Sequence, residues 1–277
     1  MQNPRTFSFE FFPPKTPEGK AKLRATWQQL AQLKPRFFSV TFGAGGSTQQ
    51  GTLDTVLEIR AAGQHAAPHI SCVASSKVEI AATLARYRQN DIRHVVALRG
   101  DMPSGLASSG ELRYANELVA FIRETTGDWF HIEVACYPEY HPQTRNAADE
   151  VKNFKRKVDA GANSAITQYF YNADAYFRFV DECAAAGIDI PIVPGIMPIG
   201  NFSQLARFSD ACGAEIPRWM RIKLDGYRDD AASIRAFALD VVTAMCEKLL
   251  EAVAPGPHFY PVNQAGPART ICPRSGL

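Results

Sequence analysis

Short apolar runs alternate with amphipathic stretches along the whole chain. The runs are rich in β-branched and aromatic residues, and most are followed by Gly, Pro, Asn or Asp, which are typical of strand ends. Eight strands are predicted, over 7–12, 37–43, 69–74, 94–100, 131–138, 165–171, 191–198 and 258–263. Between the strands, apolar residues recur with the spacing of an α-helix. This spacing predicts helices over 17–33, 50–62, 76–89, 112–125, 146–160, 173–186, 202–212 and 228–252.

This alternation predicts the architecture. Near-continuous apolar strands separated by helices indicate a parallel sheet that is covered on both faces. Eight such units favour a single closed (β/α)8 TIM barrel over an open doubly wound sheet, and we expect residues 1–277 to form one catalytic domain. The segment between the seventh and eighth strands is long enough for an additional helix.

Composition narrows the class of protein. The net charge of +2 and the absence of a Lys/Arg run of five argue against a nucleic-acid or membrane partner. The first residues lack the apolar segment of a signal peptide, and no stretch is long enough for a membrane span. The six cysteines lie scattered, mostly within apolar runs, and are expected to be free buried thiols. A cytoplasmic protein is expected.

A barrel collects its ligand-binding residues at the carboxyl ends of the strands. Polar side chains stand at these points in the sequence: Glu10, Thr41, Arg99, Asp101, Tyr137, His141, Gln168 and Asn263. We therefore expect one site at this end of the barrel.

Glu10 lies in the run FSFEFFPPK. Period-two alternation places Ser8, Glu10 and Phe12 on one face of the strand and three phenylalanines on the other. A carboxylate among aromatic rings at a barrel mouth should be poorly solvated, which would raise its pKa and suit it to donate a proton. The alternative is a structural ion pair with Lys15 or Arg99.

The run ALRGD ends the fourth strand with a cation, a glycine and an anion. Arg99 could hold a phosphate, Gly100 would let the backbone approach a ligand, and Asp101 offers negative charge to a developing cation. An ordinary tight turn is the alternative.

Aromatic, basic and imidazole groups follow the fifth strand, in YPEYHP and KNFKRK. They could bind an aromatic ring system and a diphosphate, although KNFKRK alone is equally typical of a solvated helix face. No second ligand stands at metal spacing from His141, so no metal site is predicted. No G-x-G-x-x-G follows a strand, so barrel loops would have to hold any dinucleotide.

Taken together, FSFEFFPPK, SVTFGAGGST, APHISC, RHVVALRGD, YPEYHP, FKRKVDAGANSAITQYFYN and VPGIMPI closely resemble methylenetetrahydrofolate reductases of the short bacterial type. The resemblance runs from about residue 6 to 263. It implies a (β/α)8 barrel with non-covalent FAD that reduces 5,10-methylenetetrahydrofolate to 5-methyltetrahydrofolate, supplying methyl groups for methionine synthesis. NADH or NADPH would be the reductant, and the two substrates would use one site in turn, in a ping-pong order.

The resemblance also implies roles for individual residues. Glu10 would be the acid that opens the folate ring to a 5-iminium cation, Asp101 would stabilise that cation, and Gln168 would hydrogen-bond the substrate. Further substrate contacts would be Gln204, Phe208 and Gln264. The implied FAD contacts are Thr41, His69, Arg99, Gly100, Asp101, Tyr114, Ala115, Tyr137, His141, Asn153, Arg156 and Lys157. A homo-oligomer is expected.

The end of the chain departs from the family pattern. Gln264 stands where the family has Arg, which puts substrate affinity in doubt, and Gly266 and Pro267 are expected to weaken the last helix. Glu150 replaces a common Asp. Because the chain ends at 277, we expect no C-terminal regulatory domain and no inhibition by S-adenosylmethionine.

Two alternatives stay open. Another FAD-dependent barrel oxidoreductase, resembling proline dehydrogenase, would share the fold and the cofactor. A non-catalytic folate- or flavin-binding protein is the second.

Overall fold

The computed structural model describes residues 5–42, 48–101, 110–228, 230–252 and 254–277. All described strands run parallel and alternate with helices. The strands are β1 Ser8–Phe11, β2 Phe37–Val40, β3 Ala66–Ser71, β4 His94–Leu98, β5 His131–Cys136, β6 Ser164–Thr167, β7 Ile192–Val193, β8 Gly195–Ile196 and β9 His258–Phe259. The helices are α1 Pro17–Ala31, α2 Gln49–Ala61, α3 Lys77–Gln89, α4 Ala115–Thr126, α5 Ala147–Asp159, α6 Ala173–Ala185, α7 Phe202–Cys212, α8 Arg218–Tyr227, α9 Ala231–Glu251 and α10 Gly266–Arg274.

The sheet closes through a single proline. Its strand order is β7-β6-β5-β4-β3-β2-β1-β9-β8. The outer strands β7 and β8 flank Pro194, so the two edges of this order are halves of one segment. Counting β7 and β8 as one strand interrupted at Pro194, the barrel has eight strands. The predicted (β/α)8 class is confirmed.

Strand boundaries differ from the prediction where backbone chemistry intervenes. The seventh predicted strand is divided at Pro194, which has no N–H for a ladder. The eighth ends at Phe259, since Pro261 follows and the φ angles of Val262 and Asn263 are 50° and 54°. The third begins earlier than predicted, at Ala66.

The helices follow their capping signals. Ser76 forms a capping box with Glu79, and Asp230 caps α9. The additional helix expected before the last strand is α8. The last helix forms as α10 although Gly266 and Pro267 begin it, because Pro267 lies in the first turn, where its missing N–H has no helical partner to lose.

The buried residues form two apolar clusters. The larger fills the space between strands and helices, and the smaller consists of Phe37, Ala67 and Ile166 inside the barrel. All six cysteines are free, and only Cys212 is not fully buried. Among the described residues, every helix is too short or too polar to cross a membrane.

Candidate active site

Strand β1 turns Glu10 into the barrel. Phe9 and Phe11 are fully buried in the larger cluster on the outer face of the strand. Successive residues of a strand face opposite sides, so Ser8 and Glu10 face the interior. Phe12 follows the strand and is exposed. The alternation predicted for FSFEFF is confirmed.

Two imidazoles approach the Glu10 carboxylate. His69 Nε2 on β3 lies 3.3 Å from Glu10 Oε2, and His258 Nε2 on β9 lies 3.6 Å from the same oxygen. Ser39 Oγ is 3.5 Å away and 3.4 Å from His258 Nε2. Neither Lys15 nor Arg99 forms an ion pair with Glu10 among the described residues, so the structural pair considered from sequence has the wrong partners.

The expectation of a raised pKa for Glu10 is wrong. Burial raises the pKa of this carboxyl, but the imidazoles of His69 and His258 outweigh that effect and bring the pKa to about 2. The aromatic neighbours that suggested desolvation lie on the other face of the strand. In the ligand-free protein Glu10 is therefore ionised at neutral pH.

His258 and its partner Ser8 were missed in the sequence. Ser8 Oγ lies 2.6 Å from His258 Nδ1, and both residues are buried. Strand pairing sets this contact, since Ser8 and His258 are partners in the β1–β9 register. The available signal was a histidine at the start of the last predicted strand, in register with an inward-facing serine.

Thr41 presents an unpaired polar atom near Glu10. Thr41 and His69 are both buried; Thr41 Oγ1 has no hydrogen-bond partner among the described residues, whereas His69 Nε2 faces Glu10 Oε2 at 3.3 Å. The Thr41 backbone is fixed on both sides, donating to Phe11 O and accepting from Thr52 Oγ1. Residues 43–47 of the motif SVTFGAGGST lie outside the described residues.

Gly100 is required by its surroundings. Its φ is +84°, and an added Cβ would collide with Ser71 Oγ and lie 2.9 Å from Val73 Cγ1. Arg99 Nη1 donates to Gln143 Oε1 at 2.7 Å, while Asp101 is exposed. The two charged side chains therefore lie at the end of β4, on either side of a glycine that the local packing requires.

A second group of predicted residues gathers after β5. The rings of Tyr137 and His141 lie edge to face at 4.7 Å, with Lys157 Nζ 5.8 Å from the Tyr137 ring centroid. Electrostatic interactions also connect His141 with Arg99 and Asp101. The structure therefore brings together predicted residues from β4, β5 and α5.

The basic stretch KNFKRK divides between solvent and interior. Asn153 and Arg156 are exposed and hydrogen-bond each other at 2.9 Å. Lys157 is buried, its Nζ donates to Ala135 O at 2.6 Å, and burial lowers its pKa. Glu150 Oε2 accepts from His141 N and Thr144 Oγ1, so this residue orders the loop after β5.

The remaining predicted contacts lie around the mouth of the barrel. Tyr114 is the N-cap residue of α4, with 57% of its surface exposed, and Ala115 begins that helix. Gln204 lies in the first turn of α7, and Phe208, one turn later, is 41% exposed. No hydrogen bond, ion pair or ring contact joins these residues to Glu10 within the described part of the chain. Gln264, which follows β9, is also exposed, and within the same described residues it makes no such contact with Glu10.

Gln168 borders a recess that also contains a missed residue, Glu139. The recess is small and is lined by residues that include Tyr137, Glu139, Gln168, Tyr169 and Cys212. Burial raises the pKa of Glu139 to about 7, and its Oε1 atom has no hydrogen-bond partner among the described residues. Its position in YPEYHP was the available signal.

Several features of these residues suit a flavin dinucleotide. Thr41 Oγ1 is a buried polar atom available to a ligand, and Gly100 keeps the backbone open. Arg99 and Lys157 supply cations beside the Tyr137 ring, and the ammonium of Lys157 retains two donors beyond its bond to Ala135. The residues present therefore fit the cofactor.

Known proteins match the chain over its full length. Residues 2–276 match the family model for methylenetetrahydrofolate reductase. The 5,10-methylenetetrahydrofolate reductase of Escherichia coli is 40% identical over 278 aligned residues, covering 100% of this chain and 93% of the relative. The enzyme named methylenetetrahydrofolate reductase (NADH) 1 from Arabidopsis thaliana is 36% identical, and the match covers 49% of it.

A solved structure supports the fold. A protein from Clostridium thermocellum, described as binding two copies of 5-methyl-5,6,7,8-tetrahydrofolic acid, superposes with a TM-score of 0.69 at 15% identity, over 99% of this chain and 95% of its own. These matches favour the family interpretation over a barrel resembling proline dehydrogenase. On the family match and the full-length relatives, the chain belongs to the methylenetetrahydrofolate reductase family.

Proposed function

We propose that the protein reduces 5,10-methylenetetrahydrofolate to 5-methyltetrahydrofolate, with bound FAD, NADH or NADPH as reductant and a ping-pong order. The observation that carries the proposal is the Glu10 carboxylate, held 3.3 Å from His69 at the carboxyl end of β1 in a chain of this family. The names of the Escherichia coli and Arabidopsis relatives support the substrate and a nicotinamide reductant.

Glu10 delivers the proton that opens the folate ring. Because the free carboxyl is ionised, it must take up a proton before it can act as an acid. An uncharged substrate ring that displaces water from Glu10 raises its pKa and favours the protonated carboxyl.

The proton then passes from Glu10 to N10 of the folate, as the bond between N10 and the methylene carbon breaks. The positive charge left on the N5 iminium group needs a nearby anion, and Asp101 supplies it. Gln168 keeps a side-chain amide available at the end of β6, where it orients the substrate ring.

The residues that would hold FAD lie around β2 to β5 and at the start of α4. They would be Thr41, His69, Arg99, Gly100, Asp101, Tyr114, Ala115, Tyr137, His141, Asn153, Arg156 and Lys157. The cationic side chains among them would suit the phosphates of a dinucleotide. When bound, FAD supplies hydride transfer between the nicotinamide and the folate.

Anaerobic half-reactions test the proposal. Purified protein should carry FAD, lose its visible flavin absorption on addition of NADH or NADPH, and regain it on addition of methylenetetrahydrofolate. Running both nicotinamides in parallel assigns the reductant. A colourless protein that takes up no FAD would refute the proposal, and a flavoprotein that methylenetetrahydrofolate fails to reoxidise would favour the non-catalytic alternative.

Cytoplasmic location is part of the same proposal, and the six free thiols suit a reducing compartment. The homo-oligomer that the resemblance implies stays a prediction, as does insensitivity to S-adenosylmethionine.

A further inference from the structure

A second histidine–carboxylate group lies at the opposite end of the barrel from the Glu10 site. His94 is the first residue of β4 and His131 the first residue of β5. The two are partners in the parallel register, and Glu133, two residues beyond His131, faces the same side of the strand. The group therefore lies at the amino ends of neighbouring strands.

The three side chains converge on a small volume. His94 Nε2 lies 3.4 Å and His131 Nε2 lies 3.9 Å from Glu133 Oε1. One ligand atom from each residue falls within 4.8 Å of the other two. Ligands bound to a tetrahedral Zn²⁺ at 2.0–2.2 Å lie about 3.4 Å apart, so small side-chain movements would complete the geometry.

The buried carboxylate of Glu133 gives the group a negative charge that a cation would balance. Glu133 is 1% exposed, and its ion-pair partners among the described residues are His94 and His131, with no Lys or Arg. Glu133 Oε2 has no hydrogen-bond partner in the same part of the chain, whereas His94 Nε2 faces Glu133 Oε1. A metal ion would satisfy the unpaired carboxylate oxygen and replace the imidazole–carboxylate contacts by stronger ligand bonds.

The imidazoles are accessible and chemically suited to bind. The His94 and His131 side chains are 19% and 35% exposed, which gives an ion a path from solvent. The neutral imidazole is the form that ligates metals, and both rings present Nε2 toward Glu133 Oε1. Arg36 and Arg123 also act on His131 and oppose a cation, which makes the Glu133 carboxylate essential.

Phe37 separates this group from the Glu10 site. Its ring lies 4.4 Å from the His94 ring on one side and 5.8 Å from the His258 ring on the other. We propose that His94, His131 and Glu133 bind one divalent transition-metal ion, with Zn²⁺ the best match to two imidazoles and a carboxylate, in a three-ligand site that ties β4 to β5 and leaves the fourth position to water.

Ser164 prepares the site without being a ligand. Its Oγ lies 2.7 Å from His131 Nε2 and donates to Glu133 Oε1 at 3.2 Å. In the metal-free protein this hydroxyl holds both ligands in place, and it must turn aside when the ion enters. Removing it should leave the three ligands able to bind.

Titration of the chelator-treated full-length flavoprotein with Zn²⁺ and Co²⁺ tests the proposal. We expect one equivalent of Zn²⁺ by calorimetry, a rise in melting temperature, and visible ligand-field absorption with Co²⁺. Glu133→Gln should weaken binding at least about tenfold, while Ser164→Ala should retain it. His131→Asn, at a partly exposed position, serves as the second ligand variant if Glu133→Gln fails to fold.

Two control variants show whether Zn²⁺ binds at His94, His131 and Glu133 rather than elsewhere. His65→Gln should leave Zn²⁺ binding unchanged, since His65 belongs to neither group. Glu10→Gln should also retain it, because Glu10 is not one of the three ligands. Equal Zn²⁺ affinity in wild type and in both ligand variants would overturn the proposal, and so would loss of binding in Glu10→Gln.

Discussion

His69 Nε2 lies 3.3 Å from Glu10 Oε2, on the side of the carboxylate away from the phenylalanines of β1. Burial raises the pKa of Glu10, but His69 and His258 bring it from 4.5 to about 2. A carboxyl whose pKa is lowered in the folded state stabilises the protein above its unfolded pKa. This contribution is lost as the pH falls from about 4.5 to about 2.

Glu10→Gln should separate the two half-reactions. The amide keeps the size of the side chain but cannot supply a proton, so the folate half-reaction should slow by about 10²–10⁴-fold. FAD content and the rate of flavin reduction by NADH should stay near wild type. Stopped-flow absorbance measures both, and folate turnover at a near wild-type rate would show that Glu10 is not the acid.

Ser8→Ala should change the pH profile of folate reduction. When Ser8 Oγ donates to His258 Nδ1, the ring proton lies on Nε2, which faces Glu10. Without this bond the ring loses its orientation, and the folate half-reaction should slow about tenfold with a shifted pH optimum. Ser39→Ala is the matched control, with longer contacts of 3.5 and 3.4 Å and a smaller expected effect. Equal profiles for both variants would remove His258 from the proton path.

Asp101→Asn should act in opposite directions on the two half-reactions. Loss of the negative charge leaves the folate cation less stabilised, so folate reduction should slow. The same loss makes the flavin easier to reduce, so reduction by NADH should stay equal or become faster. Rapid-mixing kinetics at fixed ionic strength check this, and unchanged rates in both directions would rule out the role of Asp101.

Gly100→Ala should cost more stability than Gly63→Ala. Both glycines have positive φ, at +84° and +79°, which costs alanine about 1–2 kcal/mol. At Gly63 nothing lies within 4 Å of the added Cβ, whereas at Gly100 it meets Ser71 and Val73. Urea unfolding should therefore show a larger loss for Gly100→Ala, together with weaker FAD binding. Equal losses would mean that the crowding at Gly100 relaxes freely.

Glu139→Gln should flatten the fall in stability between pH 5 and pH 8. Burial raises the pKa of Glu139 from 4.5 to about 7, so the folded protein holds a proton that the unfolded chain releases. This contribution is complete below about pH 4.5 and is lost as the pH rises through about 7. Melting temperatures across this range check it, with exposed Glu251→Gln as control. Parallel curves for Glu139→Gln and wild type would contradict the assignment.

The sequence carries the periodic features of the fold but not the contacts between distant strands. Alternation along β1 suffices to turn Glu10 inward, because side-chain direction is a local property. The sign of its pKa shift depends on His69 and His258, which only barrel closure brings near. The same limit applies to His94 and His131, whose pairing follows from strand register and leaves no spacing to detect in the chain.

Lys157 shows how burial divides a run of similar residues. Lys152 and Lys155 form solvated ion pairs with Asp149 and Asp159, as a charged helix face should. Lys157 belongs to the same run but turns toward β5 and bonds Ala135. The position of Lys157 around the helix axis favours its burial. Composition alone does not distinguish the three lysines.

The pairing of β1 with β9 also has a temporal meaning. Glu10 is synthesised well before His258, so the growing chain carries the carboxylate long before its imidazole partner exists. Until β9 docks beside β1, Ser8 has no Nδ1 to contact and Glu10 lacks one of its two imidazole neighbours. The pairing of Glu10 with His258 is therefore a property of the closed ring of strands, and a nascent chain too short to contain β9 cannot form it.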